Sequence, residues 1–136
     1  MGRYLTLDTT DIRPSQDFLK ENTVRFILQC LQDGNVEELP PTPLVRRSTD
    51  DSGYIAIDGH NLIAVRDYRG EAVEVFVAED ASDGLPDAQQ AGVAERNQDL
   101  RDKFESVADD AQHVADEGIK SFKNLIAKYP ELFSTN

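Results

Sequence analysis

The chain has 136 residues, 39% of them aliphatic or aromatic, so it is long enough for one domain with a real core and too apolar for a solvated acidic coil. Its 26 acidic side chains against 14 basic ones leave a net charge of −12, which argues against a general nucleic-acid binder, because phosphate contact needs a basic face. The one cysteine, Cys30, excludes an internal disulfide framework and a cysteine-based zinc site, and Cys30, His60 and His113 are too few and too scattered for a structural metal centre.

The kind of charge adds to this. Aspartate (16) outnumbers glutamate (10), arginine (9) outnumbers lysine (5), and the acid is spread along the chain without a long acidic tail. That is a solvation pattern, and it predicts a halophilic source. No apolar run reaches membrane length and residues 1–10 carry no signal-peptide pattern, so the expectation is a soluble cytoplasmic protein.

In chain order, residues 3–12 are β-prone, with Tyr4 and Thr6 alternating against Leu5 and Leu7. Pro14 breaks the run, and Ser15 offers a helix cap ahead of Gln16 and Asp17. The pattern to residue 32 is helical: Leu19, Thr23, Phe26, Ile27, Cys30 and Leu31 make one apolar face, which places Cys30 as a packed thiol, and Gly34 stands where a C-terminal cap belongs. Pro40, Pro41 and Pro43 dictate an extended loop over residues 37–43. Leu44–Arg47 reads as a short strand, residues 48–53 as a polar turn, Tyr54–Asp58 as a strand closed by Gly59, and His60–Tyr68 as a short helix ended by Gly70. Residues 72–78 alternate, with Val73, Val75 and Val77 on one face, and the strand, helix and strand predict a compact crossover unit.

Residues 79–87 are rich in Asp, Ser, Gly and Pro and read as a linker. Beyond it the chain is helical. Leu100, Phe104, Val107, Ala111 and Val114 keep a four-three spacing, then the phase slips near Gly118 to Ile119, Phe122, Ile126 and Tyr129, so Gly118 marks a break between two helices and Pro130 ends the second. The stripe from Leu100 to Tyr129 has two uses: a coiled-coil face for a second copy or a protein partner, or, the favoured one, a face that folds back on the parent domain.

Chemistry concentrates around residues 53–66, GYIAIDGHNLIAVR. A strand delivers Asp58 and Gly59 to the start of a helix, whose first N–H groups are a natural seat for phosphate or carboxylate. Gly59 admits a close backbone approach, Asp58 can cap the helix or hold a hydroxyl, and His60 can donate to phosphate or move a proton. The plain alternative is Asp-Gly as a turn and His60 as a capping or surface residue. Arg46, Arg47, Arg66 and Arg69 lie in or beside this centre and read as a local basic excess, unless Asp50, Asp51, Asp58 and Asp67 neutralise it.

Residues 57–65, IDGHNLIAV, resemble the "DGHHRL-A-A" segment of the ParB/sulfiredoxin superfamily. Residues 12–15, IRPS, resemble that family's "I-x-P" opening; residues 41–46, PTPLVR, stand in the place of its "P-I-x-V" strand; and Gly70 with Val73 to Val77 resembles its closing "G-x-x-x-V-x-V". The likeness covers about residues 3–80. It implies a small mixed sheet with flanking helices, that is an α+β domain over residues 1–80; the linker at 81–87 and the helical extension at 88–136 lie outside the resemblance and rest on composition and periodicity.

The resemblance further implies a nucleotide, with magnesium, as ligand, its phosphates near Gly59, His60 and Asn61, Asp58 orienting the turn, and Arg46 or Arg66 supplying positive charge. The family's second histidine is Asn61 here and its phosphate-clamping arginine is Leu62, which removes the strongest charge-assisted contact. His60 stands where sulfiredoxins carry their cysteine, and Gln16 stands where related serine kinases carry a carboxylate, leaving only Asp17 or Glu21 as substitutes. No paired-carboxylate constellation supports a nuclease, and the acidic C-terminal helices do not resemble a helix-turn-helix DNA reader. The expectation is a non-catalytic nucleotide- or anion-binding protein with no catalytic residue and no metal ligand; the alternatives are an interaction or self-association module without a ligand pocket and, behind it, a small-molecule kinase.

Overall fold

Runs of β-branched and aromatic residues become five strands in the computed structural model, which describes residues 2–50, 53–83 and 93–133, Val93 by its backbone only. They are β1 (Arg3–Leu7), β2 (Ile12–Arg13), β3 (Leu44–Arg47), β4 (Tyr54–Asp58) and β5 (Val73–Ala78), in the sheet order β1-β5-β3-β4-β2. The sheet is mixed: β1 pairs with β5 and β3 with β4 antiparallel, while β3 pairs with β5 and β2 with β4 parallel. The helices are α1 (Glu21–Asp33), α2 (His60–Tyr68), α3 (Val93–Lys103), α4 (Val107–Asp116) and α5 (Phe122–Ala127), and the fold is α+β. Asp51 and Ser52 of the polar turn, and residues 84–92 of the linker and the start of the extension, lie outside the described residues.

The β-prone run at residues 3–12 is two strands, on opposite edges of the sheet. Between them come Asp8 and a 3-10 turn, Thr9–Asp11. Edges of a flat five-stranded sheet stand about 19 Å apart, whereas five peptide steps reach about 17 Å even fully extended. The sheet therefore curls, and helices pack on both of its faces.

Alternation along the inner strands divides the side chains between two cores. Val45, Ala56, Val73, Val75 and Val77 meet α1, α2 and α5 through Val24, Ile27, Ile63, Phe122 and Leu125. On the other face Leu44, Ile55, Ile57, Phe76 and Ala78 meet α3 and α4 through Leu100, Phe104, Val107 and Ala111. The apolar stripe of the extension is thus consumed inside the same chain: Leu100 is 0% and Val107 1% exposed.

Several local expectations give way to long-range contacts. Residues 15–20 do not begin α1, because their polar groups are engaged elsewhere: Ser15 N–H donates to His60 Nε2, Leu19 N–H to the Tyr129 hydroxyl and Lys20 N–H to Asn61 Oδ1. Lys20, not Ser15, stands at the N-cap position, and Gly34 does close the helix in the left-handed conformation, at φ 75°. Cys30 is buried as expected, and burial raises its thiol pKa. Phe26 is 47% exposed because it sits about 100° around the helix from Ile27, beyond the face that Val24, Ile27 and Leu31 bury. A 3-10 turn, Val36–Glu38, interrupts the expected extended loop.

The unit β4-α2-β5 is not a parallel crossover. β3 lies between the two strands, antiparallel to one and parallel to the other, so β4 and β5 run in opposite directions and α2 carries the chain across β3. The extension breaks twice rather than once. Gly118 (φ 96°) separates α4 from α5, and a second break falls at residues 104–106. There the Arg46 guanidinium donates to the Phe104 carbonyl and covers the Phe104 ring at 4.2 Å, satisfying an acceptor at the end of α3. Among the described residues no helix is long and apolar enough to cross a membrane.

Because α3 shares a core with the sheet, Leu100→Ala should lower the unfolding free energy by about 3 kcal/mol, read as one cooperative urea transition by far-ultraviolet circular dichroism. A change below about 0.5 kcal/mol would mean that α3 is not part of that core.

Candidate functional site

β4 hands the chain directly to α2 through Gly59. Its φ of 90° is a left-handed conformation, and a Cβ there would stand 2.6 Å from the Pro43 Cβ, so the close approach of Pro43 and the backbone both require glycine. Ile63 N–H reaches back to the Gly59 carbonyl at 3.2 Å. The N–H groups of His60, Asn61 and Leu62 precede the first intrahelical acceptor, as in any helix.

His60 is a buried residue, 3% exposed. Ser15 N–H donates to its Nε2 at 3.0 Å, while the Ser15 hydroxyl, 3.4 Å from the same nitrogen, donates to the Ala56 carbonyl at 2.7 Å. A ring that accepts at Nε2 is neutral and carries its proton on Nδ1. Burial, with the Lys103 charge adding to it, lowers the imidazole from 6.5 to about 3. The ring also packs on Phe122, centroids 5.7 Å apart. His60 therefore ties the segment after Pro14 to the sheet, and it brings no positive charge to its surroundings.

A cavity of about 550 Å³ opens over this helix start. Asp58, Gly59, His60 and Asn61 line it together, as the spacing predicts. Phe18, Pro40, Pro41 and Leu62 give it an apolar side, and Lys20, Arg96 and Lys103 bring positive charge. Asn61 is in part committed, its Oδ1 accepting from Lys20 N–H at 2.9 Å. Asp58 pairs with Arg96, Nε to Oδ2 3.8 Å.

Arg46 and Arg66 do not join this group. Arg46 caps α3 and lines a separate pocket of about 330 Å³ with Arg47 and Glu79. Arg66 pairs with Glu71 at 2.9 Å and lines a cavity of about 500 Å³ on the far side of Pro40 and Pro41. Arg69 meets the same Glu71 at 3.0 Å, and the Arg69 hydrogen bond first, with Arg66 adding, lowers the Glu71 carboxyl pKa. The four arginines that read as one basic excess are thus dispersed: Arg46 packs on Phe104 on the α3 side of the sheet, its neighbour Arg47 lies over the Tyr54 ring, and Arg66 and Arg69 sit on and just after α2 against Glu71. Asp67 is buried and spent on structure, accepting from Thr9 Oγ1 at 2.7 Å and facing Lys123 Nζ at 3.5 Å.

Sequence reasoning missed Lys20, Arg96 and Lys103. A signal existed for the last two: Arg96, Asp99 and Lys103 recur at i, i+3 and i+7, one face of a helix. That helix draws attention for its apolar stripe alone, and nothing local says that the opposite flank closes a cavity.

The neutral histidine has a consequence for stability. The folded pKa lies below the unfolded one, so the unfolded chain binds the extra proton between about pH 3 and 6.5; the contribution is complete above that window and is lost as pH falls. Between pH 6.5 and 5.0 the wild type should lose about 1.5 kcal/mol that His60→Gln does not, measured by urea denaturation at the two pH values. Parallel losses in both proteins would mean that His60 is not held neutral.

No protein-family model matches this sequence, and no curated protein matches it. A solved structure, the protein Atu1540 from Agrobacterium tumefaciens, is similar at a TM-score of 0.40 and 21% identity, over 57% of this chain and 37% of that one. The chain thus spans little more than a third of that protein's length.

Proposed function

We propose that the protein is a non-catalytic binding domain of ParB/sulfiredoxin type, taking a small anionic ligand, a nucleotide in the first place, in the cavity over the start of α2. The observation that carries this reading is the cavity itself. At about 550 Å³ it has the size of a small-molecule site, and it gathers Lys20, Arg96 and Lys103 at a helix N-terminus. In a chain with 26 acids and 14 bases, a concavity with three cations against Asp58, Glu95 and Asp99 is locally enriched in positive charge.

The apolar side, Phe18, Pro40, Pro41 and Leu62, suits the uncharged part of such a ligand. Binding without chemistry is favoured because His60 is spent on a structural hydrogen bond and the kinase carboxylate position holds Gln16. His60 is neutral and accepts from Ser15, Asp58 faces Arg96, and Gln16 lines the cavity where a kinase would need a carboxylate. Of the two substitutes, Glu21 pairs with Arg25 at 2.9 Å. The rival reading, an interaction module using the stripe from Leu100 to Tyr129, loses its surface to the protein's own cores.

Titration with ATP, ADP and CTP in the presence of magnesium should shift the amide resonances of Gly59, His60, Asn61 and Leu62 at millimolar ligand or below. Lys103→Glu should weaken that binding by about fivefold. Absence of any perturbation at millimolar concentrations of all three nucleotides would sink the proposal.

A further inference from the structure

α3 approaches the cavity with one face. Arg96, Asp99 and Lys103 line it together. Arg96 is largely enclosed: its side chain is 12% exposed, and its Nη2 donates to the Thr42 carbonyl. Its counter-charge is poorly seated. Asp58 Oδ2 stands 3.8 Å from Arg96 Nε, outside hydrogen-bond reach, and the Asp58 side chain is itself 41% exposed. Desolvation lowers the Arg96 pKa, while Asp58 opposes that shift. A partly dehydrated guanidinium has donors to spare, and its nearest carboxylate is free to turn to water.

We infer that Arg96 is the ligand-clamping cation of this cavity, that Asp58 holds it in reserve, and that the group it takes from Asp58 is a phosphoryl. The inference rests on the reading of the cavity as an anion site and adds which residue makes it one. A phosphoryl group carries more charge than a carboxylate and presents three acceptor oxygens, so it can meet the guanidinium and the Lys103 ammonium of the same wall at once. The planar fork of arginine matches it, and lysine in that place would not. The trade also gives Asp58 a role distinct from that of Glu95 and Asp99, the other two acids that line the cavity beside its three cations: with no ligand, Asp58 limits the cost of the enclosed charge, and with ligand it withdraws.

This competition has a sign that a merely structural pair does not share. Inorganic pyrophosphate and ADP are titrated into the wild type, Asp58→Asn, Arg96→Gln and Arg96→Lys, with affinity read by calorimetry and location by amide shifts. Asp58→Asn should bind both anions about fivefold more tightly, Arg96→Gln about tenfold or more weakly, and Arg96→Lys in between. Pyrophosphate responding as ADP does assigns the effect to the phosphoryl group; an effect on ADP alone overturns that assignment. If Arg96 and Asp58 only brace α3, both neutral variants lower the melting temperature and neither tightens binding, which overturns the inference while leaving the cavity an anion site. Binding of neither anion by the wild type or by Asp58→Asn overturns this inference and the broader reading together.

Discussion

Four residues join the two edges of the sheet, and that short tie shapes the rest of the molecule. β1 and β2 cannot both belong to one sheet across residues 8–11 unless the sheet curls. A curled sheet has a concave face that must be filled and a convex face that must be covered. α2 fills the first, carrying Ile63, Ala64 and Val65 at no more than 0% exposure, with α1 and α5 around it. The second would leave Ile55, Ile57 and Phe76 in water without α3 and α4. The extension is thus the missing layer of a three-layer arrangement, and its apolar stripe is as much a part of the core as the strands are.

The same curl brings the segment after Pro14 over the end of β4, where one buried polar group holds it. His60 accepts from Ser15 N–H, and the Ser15 hydroxyl turns to the Ala56 carbonyl, so two backbone groups that a strand and a loop would leave unpaired are satisfied together. Asn61 does the corresponding work one residue on, accepting from Lys20 N–H at the start of α1. Adjacent residues at the start of α2 therefore fix two other elements, and the first turn of α2 is held from several sides. A helix start held in this way presents its N–H groups in a fixed direction, which is what recognition of an anion needs.

What was legible in the sequence was whatever a few neighbouring residues decide alone. β3, β4 and α2 stand where alternation, Asp-Gly and Gly70 put them, and Gly34 and Gly118 end their helices because each takes a positive φ. The failures share a cause. Ser15 has the chemistry of a cap, yet its hydrogen bonds go to residues 41 and 45 positions away. The break after α3 is invisible locally because Arg46, 58 positions earlier, takes the Phe104 carbonyl. The cavity was half legible: Asp58, Gly59, His60 and Asn61 are contiguous and stay together, whereas Arg96 and Lys103 reach it only through the tertiary fold.

Arg46 and Arg96 recast the meaning of the net charge. With 26 acids in the chain, an arginine on the surface would find a carboxylate almost anywhere, and Arg25, Arg66 and Arg69 do so. Arg46 and Arg96 have a further use, each donating to a main-chain carbonyl, of Phe104 and of Thr42, and each fastening α3 to the sheet. Arginine suits that task because it gives a directed hydrogen bond while keeping its charge. Part of the arginine content therefore has a structural use: two guanidinium groups pin the covering helix to the sheet. One of those pins stands at the rim of a cavity with its carboxylate at 3.8 Å, so the contact that fastens α3 to Thr42 also holds a cation in place beside the start of α2.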